Sequence, residues 1–343
     1  MTAPTTQNRD ALLVGSVPLA NAEEVFQAAS DTLGPRLKRI PDGETGARSG
    51  WIGWQVGVFA QHPQLEVVPN NQSDYDGVPQ FRLRASVDPQ RLAFPNLGYA
   101  DAAIDSHATF ARMKASGAIG PDVRFQVSLP TPLAPINRFI APSSQGAVEP
   151  AYEARLLAEV GELCAAIPHE QLAIQWDIAI EMAIWEGVWK AHFDDPKAGV
   201  IARIVRVTAA IPDDIELGYH LCYGDAGHQH FVQPKDSANL VAVANTLSER
   251  ITRPITWIHM PVPRDRTDEA YFTPLRDLKL HPETELYLGL VHLTDGAEGT
   301  KQRIATAERV VPTFGIATEC GFGRRPPETV RELLAVHATA LAP

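Results

Sequence analysis

The sequence predicts an α/β protein whose eight parallel strands close into a (β/α)8 TIM barrel. Short apolar runs rich in β-branched residues alternate with amphipathic helical segments along the whole chain. The apolar runs number eight, which is the strand count of such a barrel. The composition is globular, with 45% hydrophobic and 21% charged residues, and 343 residues is an ordinary length for one barrel. We therefore expect a single domain over residues 1–343.

Each candidate strand is bounded by turn residues or by a helical segment. The eight candidates lie at 12–16, 37–43, 124–130, 173–178, 216–223, 255–261, 286–291 and 315–320. Helix-period segments lie between them at 149–167, 236–251 and 298–311.

Two regions interrupt the alternation. Residues 48–100 are rich in turns and prolines, with a hairpin pattern at 80–86, and predict an insertion after strand two. The stretch "IAPSSQGAVEP" at 140–150 predicts a surface loop over one mouth of the barrel.

Charge and cysteine content narrow the class of protein. A formal net charge of −11 argues against a nucleic-acid partner and against a basic membrane-binding face. The chain has no apolar run long enough to span a membrane, and its start lacks the pattern of a secretion signal, so we expect a cytoplasmic location. Three widely spaced cysteines do not form a disulfide framework, which leaves them as core residues, metal ligands or nucleophiles.

Polar side chains are concentrated where the candidate strands end. In a parallel barrel the loops that leave the carboxyl ends of the strands build the active site. Titratable or nucleophilic residues end almost every candidate strand: Ser16, Asp42, Glu44, Asp177, His220, Cys222, His259, His292 and Cys320. The sequence therefore predicts an active site at this end of the barrel.

A metal centre is one interpretation of the cysteines and histidines. His220 and Cys222 are two residues apart, so on a strand both side chains point to one face, about 7 Å apart. The strand ends converge over a narrow barrel, which brings Cys320 within reach, and His259 on the neighbouring strand is a candidate fourth ligand. Two thiolates with imidazole form a ligand set that zinc favours.

The plainer interpretation is that these residues belong to the core. Cysteine is among the most buried residue types, and a strand histidine is often a hydrogen-bonded core residue. Cys164, on the apolar face of a helical segment, is predicted to be core. His228 and His230 form an alternative metal pair in a loop.

Two motifs carry a resemblance to a known family. "GYHLCYGD" (218–225) is followed about a hundred residues later by "TECGFGRRPPETV" (318–330). Together they resemble the catalytic C-terminal half of cobalamin-independent methionine synthase, in the barrel superfamily that includes uroporphyrinogen decarboxylase. Three further segments match the family in the same order: "LLVGSVP" (12–18), "IPDGETG" (40–46) and "IQWDIAIE" (174–181). The resemblance covers residue 11 to about 335.

The resemblance implies a zinc site. His220, Cys222 and Cys320 match the family's zinc ligands, and His259 takes the place of the glutamate that is its remaining protein ligand. Histidine can replace a carboxylate as a ligand, with one more positive charge at the site.

The resemblance also implies an amino-acid site. Ser16, Glu44 and Asp177 match the positions that hold the amino acid backbone of homocysteine, where acids suit an ammonium group. Ile178 replaces a family acid, with Glu181 the nearest substitute.

The proton-relay position departs from the family. Thr294 stands where the family has a proton-relaying histidine, and His292 and Asp295 flank it as candidate catalytic residues. The sequence also has no counterpart of the family's folate-binding N-terminal half, so the acceptor and donor stay open.

These features predict a zinc-dependent enzyme that transfers a methyl or alkyl group to a small-molecule thiol. A bound cation makes a thiol more acidic and holds the thiolate beside an alkyl donor. Candidate donors are a corrinoid carrier protein and a small molecule such as an epoxide or methoxyarene. One alternative is a zinc hydrolase or lyase acting on a hydroxylated or methoxylated substrate, with His292 or Asp295 as base. Another is a metal-stabilised protein without catalysis, in which all four candidate ligands bind the ion.

Overall fold

The computed structural model describes residues 9–69, 78–225 and 229–342. Its strands are β1 (Arg39–Pro41), β2 (Leu65–Val67), β3 (Phe81–Leu83), β4 (Arg124–Pro130), β5 (Leu172–Ile178), β6 (Glu216–Leu221), β7 (Trp257–Pro261), β8 (Glu285–Val291) and β9 (Gly315–Thr318). Seven of them form one curled parallel sheet in the order β1-β4-β5-β6-β7-β8-β9. The structure confirms the predicted barrel-like α/β fold.

The N-terminal segment connects the two edges of this sheet. Ala11 makes parallel bridges to both Leu37, before β1, and Ile316, in β9. The Leu12 amide donates to the Ile316 carbonyl (2.9 Å), and the Ile316 amide donates to the Asp10 carbonyl (3.0 Å). The predicted strand at 12–16 is wrong in its bounds, because the regular pairing is confined to the bridge at Ala11.

The helices lie mainly between the strands. They are α1 (Ala22–Leu33), α2 (Gln55–Gln61), α3 (Tyr99–Ala115), α4 (Leu133–Phe139), α5 (Pro142–Ala166), α6 (Ile180–Trp185), α7 (Pro196–Thr208), α8 (Ala238–Arg250), α9 (Glu269–Phe272), α10 (Gly296–Glu308) and α11 (Val330–Leu341). Helices α5, α8 and α10 confirm the three predicted helical segments. Within the described residues, no helix has the length and apolarity needed to cross a bilayer.

The loop predicted at 140–150 is wrong, because helix α5 begins at Pro142. A proline is favourable in the first turn of a helix, where its missing N–H has no intrahelical partner. Gln145 in that turn donates a hydrogen bond to the Ile140 carbonyl (2.9 Å), which fastens the new helix to the end of α4. The prolines and small polar residues of this stretch therefore mark a helix start.

Residues between β1 and β4 contain α2, the β2–β3 pair and α3. Strands β2 and β3 are antiparallel, with Leu65 opposite Leu83. Residues 70–77 of this region lie outside the described residues. That 48–100 is an insertion in a single domain stays a prediction.

The barrel interior holds a layer of apolar side chains. This layer consists of Leu12, Val14, Ala173, Trp257, Tyr287 and Ala317. Gly218 on β6 makes room for the indole of Trp257, since a Cβ there would lie 1.9 Å from Trp257 Cε2. At the amino ends of the strands, the Arg39 guanidinium stacks 4.3 Å from the Trp257 ring centroid. The floor of the barrel interior is thus filled by side chains.

Candidate metal centre and substrate cavity

A cavity of about 360 Å³ lies at the carboxyl ends of the parallel strands. Six residues predicted from the sequence line it: Ser16, Glu44, Asp177, His220, Cys222 and Cys320. The remaining wall is largely apolar and includes Trp51, Phe139, Ile180, Trp189 and Phe231. The barrel therefore gathers six predicted residues from distant parts of the chain into one space.

His220, Cys222 and Cys320 form a compact group at the base of this cavity. One potential ligand atom from each residue lies within 4.8 Å of the others, and the two sulfur atoms are 3.7 Å apart. Cys222 follows the last residue of β6, and its amide donates to the Ile178 carbonyl (3.1 Å). Cys320 follows β9 by two residues. These positions put two thiols and one imidazole around a single point.

Hydrogen bonds determine which nitrogen of His220 faces that point. His220 Nδ1 is 2.7 Å from His259 Nδ1, and His259 Nε2 is 3.0 Å from the Thr318 carbonyl oxygen. Among the described residues, no hydrogen-bond partner reaches the buried His220 Nε2. His259 itself is outside the compact group, and it stays a predicted ligand.

The electrostatics of the group suit a bound cation. The adjacent Cys222 thiol and burial raise the pKa of Cys320 well above its usual value. Burial and the neighbouring His259 hold the pKa of His220 well below its usual value. Without a cation, Cys320 and His220 are therefore neutral donors, and a metal ion is what favours the thiolate form of Cys320. Soft sulfur donors with an unpartnered imidazole nitrogen fit zinc.

The acids predicted to bind substrate lie on the same cavity. Ser16 Oγ donates a hydrogen bond to the Glu44 carboxylate. Asp177 accepts hydrogen bonds from Gln175 Nε2 (2.9 Å) and Trp51 Nε1 (3.1 Å). Glu44 and Trp51 both have left-handed backbone conformations, with φ of 50° and 56°. Such strain in non-glycine residues is typical of functional sites.

Without a bound cation, burial raises the pKa of both carboxyl groups. Glu44 and Asp177 are 8% and 7% exposed. Burial raises the pKa of Glu44 to about 7, against the hydrogen bond from Ser16. Burial and the charge of Glu44 raise the pKa of Asp177 well above its usual value. A ligand with a positive group would stabilise both carboxylates in their charged form.

The two predicted catalytic residues lie away from the cavity lining. Asp295 forms two hydrogen bonds with the Arg303 guanidinium, at 2.6 and 2.8 Å. His292 is buried, and its Nε2 lies 2.9 Å from the Val262 carbonyl oxygen. Neither residue is among those that line the cavity. Their catalytic role stays a prediction.

Sequence reasoning missed Glu319, which lies directly before Cys320. Its carboxylate is 3.2 Å from His230 Nε2 and 3.6 Å from His292 Nδ1. These contacts outweigh burial and lower the pKa of Glu319 well below its usual value. The sequence signal that could have identified Glu319 is its position directly before Cys320, a candidate metal ligand. His228, the other member of the alternative metal pair, lies outside the described residues.

Sequence comparisons and structural comparisons give different results. No protein-family model matches the chain, and no curated protein matches it. Among solved structures, a B12-independent methionine synthase from a Shewanella species, in complex with selenomethionine, is 15% identical with a TM-score of 0.62. That match covers 97% of this chain and 96% of the other.

Two further structures match over similar lengths. A putative vitamin-B12 independent methionine synthase from Listeria monocytogenes is 14% identical, with a TM-score of 0.56 and coverage of 96% and 98% of the two chains. A methyltransferase from Methanosarcina mazei is 11% identical, with a TM-score of 0.54 and coverage of 97% and 94%. At these identities the likeness concerns the fold. The chain therefore shares its fold, over nearly its whole length, with proteins described as B12-independent methionine synthases and with a methyltransferase.

Proposed function

We propose that this protein is a zinc-dependent transferase that moves a methyl or other alkyl group to a substrate thiol. The observation that carries the proposal is the group of His220, Cys222 and Cys320, whose ligand atoms lie within 4.8 Å of one another on the cavity wall. The fold shared with methionine synthases and with a methyltransferase supports the transferase part.

In this proposal the three residues hold the zinc ion through two sulfur atoms and one imidazole nitrogen. When bound, zinc makes a substrate thiol acidic enough to be a thiolate near neutral pH. The Gly224 amide, 3.3 Å from Cys222 Sγ, donates a hydrogen bond that helps to hold that sulfur as a ligand. Reduced cysteine ligands fit the cytoplasmic location expected from the sequence.

The acceptor is proposed to be a small thiol that carries an amino group. Glu44 and Asp177 line the same cavity as His220, Cys222 and Cys320, which we call the metal group. Neither acid takes part in the ion pairs found between described residues. An ammonium group would donate hydrogen bonds to both carboxylates and balance their charge. Ser16 and Trp51 hold the two carboxylates in place. In this proposal the fixed carboxylates would orient the substrate sulfur toward the metal.

The alkyl donor is proposed to bind along the apolar wall of the cavity. Phe139, Ile180, Trp189 and Phe231 contribute to this wall. Apolar and aromatic side chains suit an uncharged small donor such as an epoxide or a methoxyarene, and they exclude water from the reacting thiolate. The C–S bond would form as a C–O bond of the donor breaks, and the departing alkoxide or phenolate would take up the proton that the thiol gave up. A corrinoid carrier protein docked at the cavity mouth is the other candidate donor.

The geometry supports transfer over the hydrolase or lyase alternative. A hydrolase or lyase needs a base within reach of a bound water or hydroxyl group. His292 and Asp295, the bases predicted for that chemistry, are not among the residues that line the cavity. Asp295 is also engaged by the Arg303 guanidinium.

The zinc content of purified protein tests the proposal. We expect about one zinc per chain, and we expect Cys320→Ser to lose most of it, because one ligand of the set is removed. Cys164→Ser is the matched control, since this cysteine is buried on α5 and lies outside the metal group. A folded wild type that binds no zinc, or a Cys320→Ser variant with full zinc content, would contradict the proposal.

A further inference from the structure

We propose that His259 positions His220 for the metal ion and does not bind the ion itself. In this arrangement His259 accepts a hydrogen bond from His220 Nδ1 and donates one from its own Nε2 to the Thr318 carbonyl oxygen. The inference rests on the proposed zinc centre, and it differs from the sequence prediction that makes His259 a fourth ligand. His259 is then a positioning residue, because it touches a ligand and not the ion.

The direction of each hydrogen bond follows from the carbonyl group at one end. A carbonyl oxygen only accepts, so His259 Nε2, at 3.0 Å from the Thr318 oxygen, carries a proton. His259 is 0% exposed, and burial disfavours a charged ring, so its Nδ1 is an acceptor. The proton between the two Nδ1 atoms, which are 2.7 Å apart, therefore belongs to His220.

This assignment leaves a lone pair on His220 Nε2. His220 is 3% exposed, and its Nε2 has no hydrogen-bond partner among the residues that the structure describes. A buried acceptor without a partner is unfavourable, and a bound metal ion removes that cost. Histidine ligands commonly donate their other ring N–H to a neighbouring group, which fixes the tautomer and the ring orientation.

His259 also connects the two strands that supply the ligands. It lies on β7 in register with His220 on β6, while its Nε2 reaches the last residue of β9. That residue, Thr318, donates through Oγ1 to the Cys320 carbonyl (2.6 Å). One imidazole thus sets the spacing between His220 and the turn that carries Cys320.

The consequence is a centre with three protein ligands. Zinc sites that keep one of four positions open are typical of catalysis, whereas four protein ligands are typical of structural sites. Such a centre would leave one position for a substrate thiol without the loss of a protein ligand. A positioning role for His259 therefore favours an enzyme over a metal-stabilised protein without catalysis.

Zinc K-edge X-ray absorption of the zinc-loaded full chain tests the inference, with a chelator competition for zinc affinity. We expect two sulfurs and one imidazole in the wild type. His259→Gln keeps both an acceptor and a donor, so it should retain the same ligands and near wild-type affinity. His259→Leu should weaken zinc affinity by about 10- to 100-fold, as expected for loss of a supporting residue. His337→Leu, in an equally buried histidine of α11, should leave affinity unchanged.

The outcomes separate this inference from the proposed function. Two imidazoles in the wild type, falling to one in His259→Gln, would overturn the inference and leave the zinc centre in place. Full affinity in His259→Leu would also overturn it. A wild type that binds no zinc would overturn the proposed function and the inference together.

Discussion

At the scale of single residues, the cavity combines two buried acids with a group of soft donors, His220, Cys222 and Cys320, that could hold a metal ion. Burial raises the pKa of both Glu44 and Asp177, and the charge of Glu44 adds to the shift at Asp177. Neither acid belongs to the ion pairs between described residues, although the charges of Arg48 and Arg324 partly offset the shift at Glu44. Proteins avoid such unpaired carboxylates unless a ligand supplies the opposite charge. The acids therefore support the proposal that the substrate carries a positive group beside its thiol.

Removing either charge should weaken binding of an amino thiol without loss of metal. We expect Asp177→Asn and Glu44→Gln each to raise the Kd for L-homocysteine by about 10-fold, or roughly 1.4 kcal/mol, because a charge-assisted hydrogen bond is lost. Calorimetric titration of the zinc-loaded protein measures this effect. The thiol 4-mercaptobutyrate, which lacks the amino group, is the control and should not lose affinity in the variants. Unchanged homocysteine binding in both variants would point to an acceptor without an amino group.

The metal group could be predicted from the sequence, whereas its surroundings could not. His220 and Cys222 are two residues apart on a strand, and barrel geometry brings Cys320 to the same end. Trp51 reaches Asp177 across the barrel mouth, and no local pattern relates two residues so far apart in sequence. The contacts of Glu319 with two histidines likewise depend on loop conformations that strand periodicity does not determine.

At the scale of secondary structure, helix α6 carries a buried acid outside the proposed chemistry. Glu181 is 0% exposed, and Thr131 donates a hydrogen bond to one of its oxygens. Burial raises the pKa of Glu181 from 4.5 to about 7, against that hydrogen bond. The folded state then retains a proton that the unfolded state releases between pH 4.5 and 7, so this group lowers the stability as the pH rises through that interval.

Glu181→Gln should remove this pH dependence. At pH 8 we expect the variant to exceed the wild type in free energy of unfolding, with an upper limit of about 3 kcal/mol. The advantage should disappear as the pH is lowered toward 4, where Glu181 is neutral in both states. Urea denaturation across this range measures the difference, and Glu298→Gln at an exposed position of α10 is the control. A constant difference between Glu181→Gln and wild type at all pH values would contradict the assignment.

Strand β6 depends on the absence of a side chain at Gly218. A Cβ there would overlap the Trp257 ring in the barrel interior, so Gly218→Ala should destabilise the protein by about 2–3 kcal/mol through overpacking. Gly161→Ala is the matched control, because a Cβ at this position of α5 meets no atom within 4 Å. Alanine should there stabilise the helix by about 0.5–1 kcal/mol. Equal effects of the two substitutions in thermal unfolding would refute the packing argument.

Strand and helix predictions succeeded where the apolar pattern was continuous. The segment predicted at 124–130 coincides with β4, a strand that is almost wholly buried. The prediction failed at 12–16, because an apolar run there packs inside the barrel while its backbone pairs only at Ala11. It failed at 140–150 because prolines and small polar residues occur in helix starts as well as in loops.

At the scale of the whole molecule, the curled parallel sheet places every proposed ligand at one end. The bridges of Ala11 to Leu37 and Ile316 connect the first and last strands of the sheet. This connection also places Ser16 beside the turn after β9, where the Phe322 amide donates to the Ser16 carbonyl (2.6 Å). The metal group and the acids therefore share a cavity because the sheet curls back on itself, and the fold is that of the methionine synthase-like structures.

The central claim is that zinc bound by His220, Cys222 and Cys320 takes up a substrate thiol. Zinc K-edge X-ray absorption of the zinc-loaded protein, with and without a saturating small thiol, tests this claim most directly. L-homocysteine heads the panel of thiols, and L-homoserine, which has a hydroxyl in place of the thiol, is the matched control. The account predicts that the sulfur count at zinc rises from two to three with a substrate thiol and stays at two with homoserine. A count that stays at two with every thiol of the panel would contradict it.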